Sequence, residues 1–194
     1  AAPGYNIGWL TNITQIAEAM YGYDKYPAAD LYQHPKVKKM FTTFLDLTLV
    51  GRKTVAIGDS GSTASTGLSM STVSTILGFQ RLGDPLLAQA TYQLNGNSFD
   101  GLHADIYTKD PEAVIDQMRE IVRERGQLSF GSKYLGGEGF GILRAGEYRD
   151  AANKANIVDT QRDFWIRNGR TAGHGHPDAL NLGIEAFGIN MAPE

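Results

Sequence analysis

Gly173-His174-Gly175-His176-Pro177-Asp178 runs directly into Ala179-Leu180-Asn181-Leu182-Gly183-Ile184-Glu185-Ala186-Phe187, a polar cluster followed by an alternating apolar pattern. Leu180, Leu182, Ile184 and Ala186 alternate with Asn181, Gly183, Glu185 and Phe187, which predicts a β-strand with the leucine face buried. Two of the four histidines stand just before it. In extended backbone, residues two apart point to one side, so His174, His176 and Asp178 are expected to converge, with Pro177 bending the local path. Imidazole and carboxylate together suit a metal or a proton-transfer site. A loop at the mouth of a strand is a common place for one. The plainer alternative is one histidine capping a turn and the other merely exposed.

Upstream, the pattern changes period. Arg162-Asp163-Phe164-Trp165-Ile166-Arg167 alternates and is followed by Asn168-Gly169, a hairpin signal. Gly136-Gly137-Glu138-Gly139 precedes the short run Phe140 to Arg144. Before residue 126 the spacing is helical. Trp9, Ile13, Ile16, Ala17 and Met20 form one stripe ended by Tyr21-Gly22, and a Tyr- and Pro-rich connection from Asp24 to Pro35 follows. Val37, Met40, Phe41, Phe44 and Leu45 form a second stripe that fades before Gly51-Arg52. A third helix is expected over 68–82, broken by Gly83-Asp84-Pro85, and a fourth over 86–94. Asp110 and Pro111 open a fifth, with Val114, Ile115, Met118, Ile121 and Val122 on one face, closed by Gly126. Short links between amphipathic helices suggest antiparallel hairpins. Strands grouped after helices predict an α+β chain of two domains, divided within 126–138.

At 194 residues the chain buries a real core, and 42% hydrophobic with 20% charged residues is the composition of a globular protein. A net charge of −3 supplies no general field for nucleic acid, which is not an expected partner, although a local basic groove for an acidic substrate is compatible with it. No run reaches the length of a membrane span, so no membrane partner is expected either. The absence of cysteine excludes disulfides and thiolate metal sites. The opening Ala1-Ala2-Pro3-Gly4 and the ending Pro193-Glu194 suggest a piece of a longer protein.

Three further places are candidates for chemistry. Glu194 lies one strand and one return beyond His176, which would let its carboxylate join the imidazole; as a terminal residue it is equally a solvated group. Tyr5, within Pro3-Gly4-Tyr5-Asn6 before the first helix, is a potential acid or base if neighbouring positive charge lowers its pKa, or else one of nine amphipathic packing tyrosines. Ile57-Gly58-Asp59-Ser60-Gly61-Ser62-Thr63 has small residues that let backbone approach a ligand, but lacks the Gly-Lys ending of a phosphate loop. Asp59 is alternatively a helix cap or turn residue. His34 and His103 are isolated and read as structural.

The ordered set Pro3-Gly4-Tyr5-Asn6, Ile57-Gly58-Asp59-Ser60, Gly141-Ile142-Leu143-Arg144 and His174-Gly175-His176-Pro177-Asp178-Ala179-Leu180 resembles the heparinase II/III-like polysaccharide lyases. The ending Gly188-Ile189-Asn190-Met191-Ala192-Pro193-Glu194 also resembles that family, in which Asp is more usual at the last position. The resemblance implies helical hairpins of an incomplete (α/α) toroid in residues 1–130. It implies the first strands of an antiparallel β-sandwich in residues 131–194. It also implies β-elimination at a uronic acid of an acidic polysaccharide, in a periplasmic or secreted setting, with other segments or chains completing the fold.

In such a reaction the uronate carboxylate is neutralised, a base takes the C5 proton, and an acid protonates the leaving oxygen at C4. By the resemblance, Tyr5 matches the acid, often also the base, and His174 the base or charge neutraliser. His176 and Glu194 match the ligands of a zinc ion that plays a structural part in the site. Glu at 194 reaches farther than the usual Asp, which bears on tight metal-ligand distances. Asn6, Asp59, Arg144 and Arg170 are the candidates for substrate binding, with Arg167 beside them, since a guanidinium pairs bidentately with a carboxylate. Individually, each arginine is as readily a salt-bridge partner. Two other classes compete: a metal-dependent hydrolase built on the H-x-H motif, and a carbohydrate-binding protein without catalysis.

Overall fold

The computed structural model describes residues 3–49, 53–55, 57–58, 70–103, 106, 108–146, 161–169, 180–187 and 189–192. Among them are five α-helices and seven strands: α1 (Pro3–Met20), α2 (Pro35–Asp46), β1 (Thr48–Leu49), β2 (Lys53–Thr54), α3 (Thr72–Leu82), α4 (Pro85–Leu94), α5 (Pro111–Arg125), β3 (Lys133–Leu135), β4 (Phe140–Ala145), β5 (Arg162–Arg167), β6 (Asn181–Ala186) and β7 (Ile189–Asn190). The chain is thus α+β, with helices preceding an antiparallel sheet. It divides into two compact units, one comprising Ile7–Leu45 and Met70–Leu128, the other Ala1–Asn6, Asp46–Ser69 and Ser129–Glu194.

In the helical unit, local chemistry fixes the boundaries. The Ser71 hydroxyl accepts from the Val73 N–H, so α3 begins after that cap rather than at 68 as the apolar run suggests. Gly83, at φ +63°, ends α3 in the left-handed conformation, and Asp84 caps α4 by accepting from the Leu86 N–H at 3.0 Å. Asp110 accepts from the Ala113 N–H, with Pro111 in the first turn of α5. His34 also caps: its Nδ1 accepts from the Lys36 N–H at 3.2 Å where α2 starts.

Consecutive helices pack closely because small residues lie between them. A Cβ on Gly78 of α3 would stand 2.5 Å from Phe41 Cδ1 and 2.9 Å from Leu87 Cδ1. The Thr91 hydroxyl donates to Thr75 Oγ1 at 2.6 Å, a buried polar link from α4 to α3. In α1 the buried face is Leu10, Thr14 and Ala17, rotated from the expected stripe; Trp9 is 61% exposed and Ile16 58%. The narrow side of the helix goes inward because Ala17 and Thr14 allow close approach, Thr14 satisfying its hydroxyl on the Thr11 carbonyl.

The other unit is built on a five-stranded antiparallel sheet in the order β3-β4-β5-β6-β7. Phe140, Ile142 and Trp165 face one side and pack with Leu47, Leu49, Val55 and Ile57, which flank and form the β1–β2 ladder. That ladder has no counterpart in the sequence expectation, being two residues long on each side. Trp165 sits opposite Gly183, and its indole occupies the space a Cβ there would need.

Two strand expectations are corrected. On β6 the inward face carries Gly183 and Glu185, whereas Leu180 is 70% exposed and Leu182 44%. The parity follows β5, whose Asp163, Trp165 and Arg167 all turn inward. Asn168-Gly169 also does not close a two-residue hairpin. The Asn168 N–H instead donates to the Gly139 carbonyl at 2.7 Å, and the connection from β5 reaches β6 only at Leu180.

Candidate functional site

The motif residues that the structure describes belong to the sheet unit, although they are far apart in sequence. Tyr5 and Asn6 stand in the first turns of α1, at a point where Pro3 fits because an initial helical N–H has no intrahelical partner. The Tyr5 side chain is 45% exposed and Asn6 is half-buried. Ile57 is buried in the sheet-unit core, and Gly58 next to it holds φ +57°, a conformation that favours glycine. Gly141 to Arg144 lie in β4.

The described residues on either side of the histidine motif, at the end of β5 and before β6, are hydrogen-bonded to each other. The Leu180 N–H donates to the Arg167 carbonyl at 2.6 Å, pinning the two ends together. Leu180 has φ +64° and Phe187 φ +54°, so left-handed residues flank β6 on both sides. For non-glycine residues this costs about 1–2 kcal/mol each, and such conformations gather at functional sites. Asp59, Arg170, His174, His176 and Glu194 lie outside the described residues, as does Asp178. No group of three His, Cys, Asp or Glu able to hold a metal occurs among the described residues.

Arg144 has an occupation that its sequence pattern did not suggest. Its side chain is buried. Nη1 donates to the Gly131 carbonyl at 2.6 Å, and Nη2 to the carbonyls of Asp46 at 2.7 Å and Thr48 at 2.9 Å. Nε lies 4.0 Å from Asp163 Oδ2, too far for a hydrogen bond. Burial pushes the guanidinium pKa down, and the carboxylates of Asp163 and Asp46 oppose that shift. Both Nη groups are therefore held by backbone from separate chain segments, so binding a substrate carboxylate would require giving up those bonds.

Register places Arg144 opposite Asp163, and Asp163 opposite Glu185, all facing inward. Gln161 donates to both Asp163 oxygens at 2.8 and 3.1 Å. Sequence reading missed this row because it buried the leucine face of β6, which turns Glu185 outward, and gave β5 no inward side. With that side known, the inward positions of both strands could have been read off. Arg167 is likewise buried, at the end of β5.

The helical unit contains open clefts of its own. One, of about 440 Å³, is lined by Thr14, Glu18, Ile76, Leu77, Gln80 and His103. None of the motif residues lines it. No helix among the described residues is long and apolar enough to cross a membrane. No protein-family model and no curated protein matches the chain.

Proposed function

We propose that this chain is part of a polysaccharide lyase that cleaves a uronic-acid-containing acidic polysaccharide by β-elimination. The observation that carries the reading is the gathering of the motif segments. Tyr5 and Asn6, Ile57 and Gly58, Gly141 to Arg144, and both strands bounding the histidine connection fall in one compact unit. Segments scattered along a chain that assemble with an exposed tyrosine among them are what a composite site requires.

In this mechanism Tyr5 donates a proton to the leaving glycosidic oxygen and His174 removes the C5 proton or neutralises the carboxylate. Asn6, Asp59 and Arg170 hold the substrate. The exposed hydroxyl-bearing ring of Tyr5 is suited to a bound polymer, since the acid must reach an oxygen outside the protein. His176 and Glu194 would hold zinc, which would fix the histidine segment. The helices are read as part of an (α/α) toroid and the sheet as the opening of a β-sandwich. The sandwich reading is supported by the outward face of the sheet, where Leu143, Leu182 and Ile184 are exposed beside Phe164 and Ile166. An exposed apolar sheet face is one that a second layer would cover. Location in the periplasm or outside the cell follows from where such polymers occur.

The test is ultraviolet absorbance of the unsaturated uronate product, on a panel of acidic polysaccharides, with the chain and with any longer parent protein. Tyr5→Phe and His174→Ala are each expected to lower the rate by about 10²–10⁴-fold. New reducing ends without the absorbance would overturn elimination and favour the hydrolase. Binding without either product would favour a carbohydrate-binding protein.

A further inference from the structure

The turn after α1 presents exposed aromatic side chains. Gly22, at φ +75°, ends the helix, and the chain then closes on itself through short-range bonds. The Tyr23 N–H donates to the Met20 carbonyl, Tyr26 to Tyr23, and Ala29 to Tyr26, at 3.3, 3.2 and 2.9 Å. Four tyrosines lie on or beside this frame, and they divide into two pairs.

Tyr21 and Tyr32 serve the fold. Arg81 covers one face of Tyr21 at 4.1 Å, and the Tyr32 ring meets Tyr21 edge-on at 5.9 Å. The Tyr32 hydroxyl donates to Glu18 at 2.7 Å from a fully buried position. Tyr23 and Tyr26 are different. They are 46% and 65% exposed, and their one ring contact among the described residues is with each other, at 5.8 Å and a tilt of 32°. The two rings are tilted neighbours, each with part of its surface open to solvent. Asp24 and Lys25, both exposed, sit between them in the turn.

The geometry points to Tyr23 and Tyr26 as a stacking platform for a sugar ring of a polysaccharide. This assignment takes its choice of polymer from the lyase reading above. The apolar C–H face of a pyranose matches the negative face of a phenol ring, while the ring-edge hydroxyls stay in water. The Asp24 carboxylate can accept from those hydroxyls, and the tyrosine hydroxyls and the Lys25 ammonium can donate to them or to a uronate carboxylate. Nucleobases also stack on tyrosines, but single-strand binding relies on a basic groove along the phosphates. A turn with one aspartate and one lysine between its rings offers no such groove.

The test is titration calorimetry with uronate oligosaccharides, a neutral glucan oligosaccharide and oligo-dT, with elimination assayed alongside. Tyr23→Ser and Tyr26→Ser are each expected to weaken saccharide affinity about three- to tenfold, the range of one aromatic stacking contact. Tyr23→Phe and Tyr26→Phe keep the ring and are expected to stay within about twofold of wild type. Thermal midpoints of all four should match wild type, a result that a packing role would not give. Serine variants that bind saccharide as wild type does, in a protein that performs elimination, would overturn the platform and leave the lyase reading intact. Saccharide binding lost in the serine variants, in a protein that eliminates no polymer, would support the platform and sink the lyase. Binding of oligo-dT in place of every saccharide would overturn the platform.

Discussion

Replacing Arg144 by methionine removes a buried guanidinium whose Nη atoms hold three carbonyl oxygens from two segments of the chain, Gly131 in one and Asp46 and Thr48 in the other. Charge-assisted bonds of this kind are individually worth about 1.5–3 kcal/mol, but burying the guanidinium offsets much of that gain. What remains after truncation is the buried Asp163 with one cation fewer beside it, together with carbonyls that must find water or go unsatisfied. Removing one partner from such a buried arrangement costs about 3–5 kcal/mol. Against a total of about 5–15 kcal/mol for a folded domain, that is a large fraction. With a urea slope of about 2–3 kcal/mol/M, the unfolding midpoint should fall by about 1–2.5 M.

Trp165 lies in the core of the same unit, opposite Ile142, so its fluorescence reports the loss. A Trp9→Phe background isolates that signal, since Trp9 is the other tryptophan and is exposed. Arg144→Lys should recover less than half the difference, because one ammonium cannot span the positions held by a planar fork. An unchanged midpoint in Arg144→Met, with saccharide affinity falling instead, would refute the structural assignment and return Arg144 to the substrate.

Two more outcomes follow from the geometry. Glu18 accepts from Arg81 at 2.8 and 2.6 Å and from Tyr32, and the Arg81 hydrogen bonds, more than burial opposes them, hold its carboxyl below the ordinary range. A depressed folded pKa contributes stability that is fully present above the unfolded value and is lost as pH falls through the folded one. For this partly exposed pair the contribution is about 1 kcal/mol, so wild type and Glu18→Gln should differ at pH 7 and converge in urea titrations as pH falls through the lowered folded value. Gly183→Ala would place a methyl in the Trp165 indole, and should destabilise the sheet unit by about 1–3 kcal/mol with a shift in tryptophan emission, whereas the same change at exposed Gly137 should do neither.

The helices were legible because their ends are written in side chains. Asp110-Pro111 and Gly126 mark α5 within the sequence, and Gly83-Asp84-Pro85 marks the break between α3 and α4, through backbone groups that must be capped locally. The positions of β5 and β6 were legible from alternation and that of β4 as a short run after a glycine cluster, and with them the α+β class. Which side of each strand faces the core was not. Leu182 and Ile184 look like the buried set, yet Trp165 claims the space over Gly183 and turns the leucine face outward. When both faces of a sheet are apolar, alternation specifies two sides and not their assignment, which depends on the neighbouring strand and the layer beneath it.

The candidate site divides in the same way. The sequence alone determined the residue types: Tyr5, the histidine pair and the arginines, each with the chemistry its side chain allows. Only the tertiary structure decided that Tyr5 shares a unit with the β4–β6 sheet, and that the ends of the histidine connection meet at Arg167 and Leu180. It likewise decided that the Nη groups of Arg144 bond to backbone. Side-chain chemistry is local and is carried by each residue. Burial and partnership are properties of distant segments brought together, and no spacing along a strand or helix encodes them.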